Sequence, residues 1–263
     1  MNMHNAQFTE LPGKTGIVLF IHGYMGSPRQ FDKLANAVNR AGYSTLSVLL
    51  PGHGSTTKAF SRGTLDCWQN YINDEVDKLS ANYDHIIIVG SSMGCLLAIN
   101  SSVWLKEKYT DNARYKDKIS ALFLISCPLK VSYINIASIK VRLMQLFYSK
   151  SNPIKKAYKD GRSVPVSLSL LWRNTKPARE LMILISVTKA NLRNLRTPVT
   201  AVFSKSDEIV SIKSMEMLKT GASSAAVKCV ILSKSLHAYY PDDEQLVIED
   251  TLKELTDGWG SWA

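Results

Sequence analysis

Ile86-Ile87-Ile88-Val89-Gly90-Ser91-Ser92-Met93-Gly94-Cys95-Leu96-Leu97-Ala98-Ile99 joins an apolar run to a helical pattern through a glycine-flanked serine. Four successive β-branched residues, with no polar alternation, read as a strand covered on both faces. The apolar spacing of Met93, Leu96, Leu97 and Ile99 reads as a buried helix. Between them stands G-x-S-x-G, Gly90 to Gly94. A strand that runs straight into a helix through this pattern forces its central serine into a strained backbone and lifts the hydroxyl clear of the sheet. Ser92 is therefore the candidate nucleophile. Gly90 and Gly94 leave room for neighbouring backbone. The first amides of the helix and its dipole face an oxygen that gains negative charge.

On either side of it, similar apolar runs recur at 17–21, 44–49, 122–126, 199–203 and 227–232, and helical patterns lie between them at 28–41, 65–79, 93–108, 212–219 and 241–255. Strand and helix alternate, which predicts an α/β class with a mostly parallel central sheet flanked by helices. One connection breaks the rhythm. From 126 to 199 no convincing strand is visible, only helical patterns at 136–148, 166–172 and 177–195, with a break carried by Asn152, Pro153, Gly161 and Pro165. We read residues 1–127 and 197–263 as the core and 128–196 as an inserted basic helical cap at the sheet's carboxyl edge, where ligands of such sheets bind. Its apolar residues Met144, Leu146, Phe147, Leu171, Trp172, Leu181, Met182 and Leu184 either line an acyl pocket or pack on the sheet.

A serine hydroxyl needs a base to take its proton. After a strand–turn–helix nucleophile the partners follow in the order acid, then histidine. Of the five histidines, His4, His22, His53 and His85 precede Ser92, and only His237 follows it. It lies just past the run at 227–232 and before the last helix. The acid is expected in the loop after 199–203, which reads Ser204-Lys205-Ser206-Asp207-Glu208. Asp207 is the candidate, to fix the imidazole tautomer and stabilise its cation, and Glu208 is the alternative. An acyl-transfer site also needs oxyanion donors. His22-Gly23-Tyr24-Met25-Gly26 follows the first strand, so the backbone N–H groups of Tyr24 and Met93 can converge beside Ser92. Gly23 and Met25 are candidate substrate contacts in the same loop. His22 is read as bonding within that loop, and His53, in the Pro51–Gly54 turn, as shaping the rim.

The net charge of +10 suggests a nucleic-acid binder until its distribution is examined. Residues 128–196 hold fourteen Lys and Arg against Asp160 and Glu180, a balance of +12, which leaves −2 for the remainder. Charge confined to one segment, with no recognition motif, argues against nucleic acid. Lys140, Arg142, Lys155, Lys156, Arg173 and Arg179 fit either a solvated face or attraction to an anionic lipid surface or acidic substrate. The four cysteines, Cys67, Cys95, Cys127 and Cys229, are scattered and read as free thiols. Residues 1–10 lack the basic start and apolar run of a signal peptide, and no apolar run spans a bilayer, so a soluble cytoplasmic protein is expected. Nothing calls for a metal or cofactor, and oligomeric state is not readable.

The runs HGYMGSP, LPGHG, GSSMG, SKSDEIVS and SLHAYYPDDE, in this order and spacing, resemble the bacterial carboxylesterase and monoacylglycerol lipase family of α/β-hydrolases. The resemblance covers nearly all of the chain outside 128–196. It implies an α/β-hydrolase fold with a small cap after the sixth canonical strand. It also implies a triad of Ser92, His237 and Asp207, oxyanion amides on Tyr24 and Met93, and a small acyl ester or monoacylglycerol as substrate. Two departures stand out: Cys95 replaces the second glycine that many relatives carry after the elbow, and the cap is unusually basic. A thioesterase, carbon–carbon hydrolase or lyase on the same scaffold is the alternative expectation, and a ligand-binding relative without turnover a further one.

Overall fold

A computed structural model of the chain describes residues 4–13, 15–132, 153–164 and 174–258. Seven strands form one sheet: β1 (Gln7–Thr9), β2 (Gly16–Ile21), β3 (Ser44–Ser47), β4 (His85–Ser91), β5 (Ile119–Ile125), β6 (Val199–Ser204) and β7 (Val227–Leu232). Their order is β1-β3-β2-β4-β5-β6-β7, parallel throughout except for β1, which runs antiparallel to β3. The mostly parallel sheet expected from the runs of apolar residues is present. The polar leader hides one more strand: Gln7, Phe8 and Thr9 pair with Ser47, Leu46 and Thr45. This edge strand is exposed along its length and carries none of the apolar signal that marks the others.

The helices among the described residues are α1 (Asp32–Arg40), α2 (Thr57–Phe60), α3 (Leu65–Asn82), α4 (Met93–Lys108), α5 (Ala113–Lys116), α6 (Pro153–Asp160), α7 (Thr175–Asn191), α8 (Lys213–Gly221) and α9 (Asp242–Asp257). Continuous apolar strands are explained by two covered faces. Val18 and Phe20 of β2, with Ile87, Val89 and Phe123, pack with Leu34 and Val38 of α1 and Ile248 and Leu252 of α9. Ile17, Leu19 and Ile21 point the other way, into a cluster with Trp68, Ile72 and Val76 of α3, Leu97 and Ile99 of α4, and Leu218 of α8. Each such side chain is worth roughly 1.5–3 kcal/mol relative to exposure. Thr64 opens α3 by accepting the Cys67 N–H on its hydroxyl at 3.2 Å. No helix of the described residues is long and apolar enough to cross a membrane.

The long connection follows β5, the fifth described strand. Pro153–Asp160, read from the sequence as part of a break, is the helix α6; proline is accepted at a helix start, where its missing N–H is not needed. Helix α7 buries Leu184 and Ile185 in the α3–α4 face and bonds it: Asn100 Nδ2 donates to Thr188 Oγ1 and Asn191 Nδ2 to Asn100 Oδ1, both at 3.1 Å. Leu184 therefore belongs to the core, Leu181 is half-buried against it, and Met182 is 42% exposed. The helical patterns at 136–148 and 166–172, with Met144, Leu146, Phe147, Leu171, Trp172, Lys140, Arg142 and Arg173, lie outside the described residues, as does the Lys155 side chain. Lys156 and Arg179 are exposed.

Candidate active site

Four chain segments leave the sheet at its carboxyl edge and meet there: the loops after β2, β4, β6 and β7. Three described non-glycine residues have positive φ, namely Met25 (57°), Ser92 (52°) and Ser126 (54°), and all three lie just past strand ends on this edge. Such conformations cost of order 1–3 kcal/mol each and persist where the surroundings over-determine them. At Ser92 the surroundings do so. Its N–H donates to the Ile125 carbonyl at 2.9 Å, and its own carbonyl accepts from Cys95 N–H at 2.9 Å. A Cβ on Gly94 would come within 2.0 Å of the Ile21 carbonyl oxygen, so only glycine lets α4 start this close to β2. A Cβ on Gly23 would lie 3.0 Å from Ser92 Cβ and 3.6 Å from its Oγ. Gly23 is thus the wall beside the hydroxyl.

The Ser92 Oγ lies 3.0 Å from His237 Nε2, and His237 Nδ1 lies 3.0 Å from Asp207 Oδ2 and 3.2 Å from Oδ1. Residues 145 and 30 positions apart are brought into one line of hydrogen bonds. Asp207 is held from behind, its Oδ1 accepting the N–H groups of Ile209 (2.9 Å) and Val210 (2.8 Å). Its side chain is 2% exposed and that of His237 13%. Burial opposes charge on His237, but the Asp207 carboxylate and its hydrogen bond, with help from Glu208, outweigh it and raise the imidazole pKa above its ordinary value. Burial likewise opposes the Asp207 anion, and the same pairing with the two loop amides holds its pKa below the usual carboxylate range. Glu208, the alternative acid, points elsewhere: its Oε2 accepts the His237 backbone N–H at 3.0 Å. Tyr240 OH donates to the His237 carbonyl at 3.2 Å.

Met93 begins α4, and its N–H is not capped by the Ser92 side chain. The Tyr24 amide sits in a tight turn closed by Gly26 N–H on the Gly23 carbonyl at 2.9 Å. Neither amide takes part in the loop hydrogen bonds of the described residues. His22, fully buried, clamps this turn: its Nε2 accepts the Leu50 N–H at 3.1 Å and its Nδ1 lies 2.9 Å from the Gly23 carbonyl. That geometry needs the neutral Nδ1–H tautomer, and burial, with His53 nearby, pushes its pKa well below the ordinary value. His53 does more than shape a rim. Its Nε2 accepts the Met25 N–H at 3.2 Å, and burial lowers its pKa to about 4. The Tyr24 ring packs edge-on against Phe60 with centroids 5.1 Å apart. Cys95 is buried, its Sγ donating to the carbonyls of Gly90 (3.1 Å) and Ile125 (3.2 Å), so the thiol braces the elbow from behind; burial raises its pKa well above the ordinary value.

Glu244, read from the sequence only as a complement to the dipole of α9, carries the histidine loop. Its carboxylate accepts the N–H groups of Ser233 (2.7 Å), Lys234 (3.0 Å) and Ser235 (2.7 Å) and the hydroxyls of Ser233 and Ser235. Burial favours the neutral acid, but the Ser235 hydroxyl and the three amides overrule it and hold the pKa at about 2. A carboxyl so depressed stabilises the fold above its unfolded pKa of ~4.3, and the contribution fades as pH falls through 4 towards 2. At 7% exposure little is lost to solvent screening. Glu244→Gln is expected to cost about 3 kcal/mol at pH 7, from ~1.4 kcal/mol per pKa unit, and much less at pH 3. Urea titrations at both pH values check this; an equal loss at the two would assign the effect to packing.

Residues 13–244 match a family model described as serine aminopeptidase, S33. Over 242 residues, 90% of this chain and 88% of the other, the chain is 25% identical to a thermostable monoacylglycerol lipase of Bacillus sp. (strain H-257). Among solved structures, a soluble variant of monoglyceride lipase from Saccharomyces cerevisiae, in complex with a substrate analogue, superposes with a TM-score of 0.73 at 16% identity, covering 96% of this chain and 90% of that one. A structure of the metagenome-derived lipolytic enzymes LipS and LipT gives 0.70 at 20% identity, over 96% and 97%. At these identities the two structures speak for the fold.

Proposed function

We propose, since this chain belongs to the serine aminopeptidase, S33, family of hydrolases and has the α/β-hydrolase fold, that it hydrolyses small carboxylic esters, monoacylglycerols among them. The observation that carries this is the hydrogen-bond line from Ser92 Oγ through His237 to Asp207. Ser92 Oγ attacks the acyl carbon while His237 Nε2 takes its proton. The oxyanion is held by the N–H groups of Tyr24 and Met93. His237 then protonates the leaving alcohol, and an acyl group remains on Ser92. Water gives its proton to His237, attacks the acyl-enzyme and releases the acid as the proton returns to Ser92. Asp207 accepts Nδ1–H throughout and stabilises the transient imidazolium. The likeness to a monoacylglycerol lipase over most of both chains favours an ester over a peptide bond.

The segment 128–196 is proposed as the cap over this site, and its exposed Lys156, Lys176 and Arg179 as a face that attracts an anionic lipid surface or acidic substrate. The free cysteines Cys67, Cys95, Cys127 and Cys229 fit a reducing cytoplasmic setting.

The test is hydrolysis of p-nitrophenyl butyrate and a medium-chain monoacylglycerol by the purified chain, followed across pH. His237 must be neutral to accept the serine proton, and its pKa is raised, so kcat/KM should fall on the acid side with a midpoint above ~6.5. Turnover of an acyl-CoA thioester with neither ester cleaved would replace the reading with the thioesterase alternative. No labelling by a fluorophosphonate and no turnover of any of these would leave a binding protein.

A further inference from the structure

The turn that carries the Tyr24 amide is held by groups from outside it on both sides. Met25 sits at φ 57°, a conformation that a side chain of its size adopts only under constraint. Its N–H is fixed by His53 Nε2 at 3.2 Å. Its carbonyl accepts the Ser163 N–H at 3.1 Å, and the Ser163 hydroxyl donates to the next carbonyl, that of Gly26. Ser163 is 6% exposed and its neighbour Val164 3%, so this contact is buried. Eleven residues further on, Asn174 Oδ1 accepts the Tyr24 hydroxyl. Two points of the 128–196 connection thus grip the three consecutive residues Tyr24, Met25 and Gly26, while Gly23 rests against Ser92.

We infer that Ser163 is a positioning residue for the oxyanion loop. By fixing the carbonyls of Met25 and Gly26 it fixes the peptide planes on the far side of Tyr24, and with Asn174 on the ring it sets where the Tyr24 N–H points. This rests on the reading of that N–H as an oxyanion donor. An oxyanion hole works only when its donors are already aimed at the place where charge develops, so a loosened turn weakens transition-state binding more than substrate binding. A role confined to anchoring the connection would alter stability or KM and leave kcat unchanged.

Ser163→Ala removes the hydroxyl that serves Gly26 and leaves the Ser163 N–H in place. The expected result is a kcat on p-nitrophenyl butyrate about tenfold lower, in line with partial loss of an oxyanion donor, with KM within about twofold and recovery by Ser163→Thr, which restores the hydroxyl. Independently of turnover, hydrogen–deuterium exchange should show faster exchange in the peptide 22–27 of Ser163→Ala. Asn174→Ala, at a less buried position, should move kcat and exchange in the same direction and serves if Ser163→Ala does not fold. Wild-type kcat with wild-type exchange in both variants overturns the inference, and so does faster exchange with kcat unchanged. If the wild-type chain cleaves no ester, the ester-hydrolase reading fails and the oxyanion part of the inference falls with it; exchange then decides only whether Ser163 holds the turn, unchanged protection rejecting that hold and lost protection upholding it.

Discussion

Ser92→Ala is expected to lower kcat/KM on p-nitrophenyl butyrate by about 10⁴–10⁶-fold, with the unfolding midpoint shifted by no more than a few degrees and labelling by a fluorophosphonate abolished. The asymmetry between activity and stability follows from what the side chain touches. The Ser92 hydroxyl bonds His237 Nε2 alone among the described residues, and the helix that starts after it gains no side-chain cap from it. The backbone bonds to Ile125 and Cys95 survive the change. Alanine pays the same cost at φ 52° as serine. Removing the hydroxyl therefore leaves the elbow standing with nothing to attack the acyl carbon, and what remains is the proposed oxyanion amides and binding site. A variant that keeps more than about 1% of activity, measured after excluding contaminating esterase by active-site titration, would remove Ser92 from the mechanism.

The parts of this architecture written in short-range sequence are legible without coordinates. The run 86–99 fixes strand, turn and helix because each is specified locally: β-branched residues for β4, Gly94 where any Cβ would collide with the Ile21 carbonyl, apolar spacing for α4. His237 could be singled out because the chain direction in such folds limits which histidine can reach the elbow, and the two carboxylates after β6 narrowed the acid to Asp207 or Glu208. Choosing between them is a matter of side-chain direction, and adjacent residues in a loop carry no such information. The structure sends one to the ring and the other to the backbone of the same histidine. What stayed invisible is of one kind. The Ser163 grip on Gly26 spans 137 residues and uses a hydroxyl that looks like any loop serine. His53 on Met25 and Glu244 on the 233–235 amides are side chain to backbone bonds, and a backbone N–H has no signature in sequence. β1 escaped because Gln7, Phe8 and Thr9 are all exposed on an edge that is bonded on one side only, and a single Phe8 between two polar residues makes no apolar pattern. Sequence reports which chemistry is available at the sheet edge, and the shell that aims it is recorded only in the folded chain.

Asp207→Asn is expected to lower kcat by about 10⁴-fold at neutral pH while changing KM little, and the reason is the position of one proton. In the wild type the carboxylate accepts Nδ1–H, leaving Nε2 with a free lone pair 3.0 Å from the Ser92 hydroxyl. Asparagine can keep the turn intact, because its Oδ1 still accepts from Ile209 and Val210, as Asp207 Oδ1 does. Its amide NH₂ then occupies the place of Oδ2 and donates to Nδ1. The imidazole must carry its hydrogen on Nε2, where it cannot take the serine proton. The loss is therefore one of tautomer, with the fold retained. The pH profile supplies a second, independent sign. The Asp207 charge is part of what raises the His237 pKa, so its removal should move the acid limb to lower pH even as the plateau falls, whereas a variant that merely loosened the loop would lose rate without that shift. Glu208→Gln is the control. Its Oε1 can still accept the His237 N–H, so a loss of about tenfold or less is expected, with a small downward move of the limb because Glu208 also favours the imidazolium. The reverse ranking, with Glu208→Gln inactive and Asp207→Asn near wild type, would hand the role of the acid to Glu208. The same two carboxylates would then have to exchange partners on binding substrate, since only Asp207 faces Nδ1 in the structure.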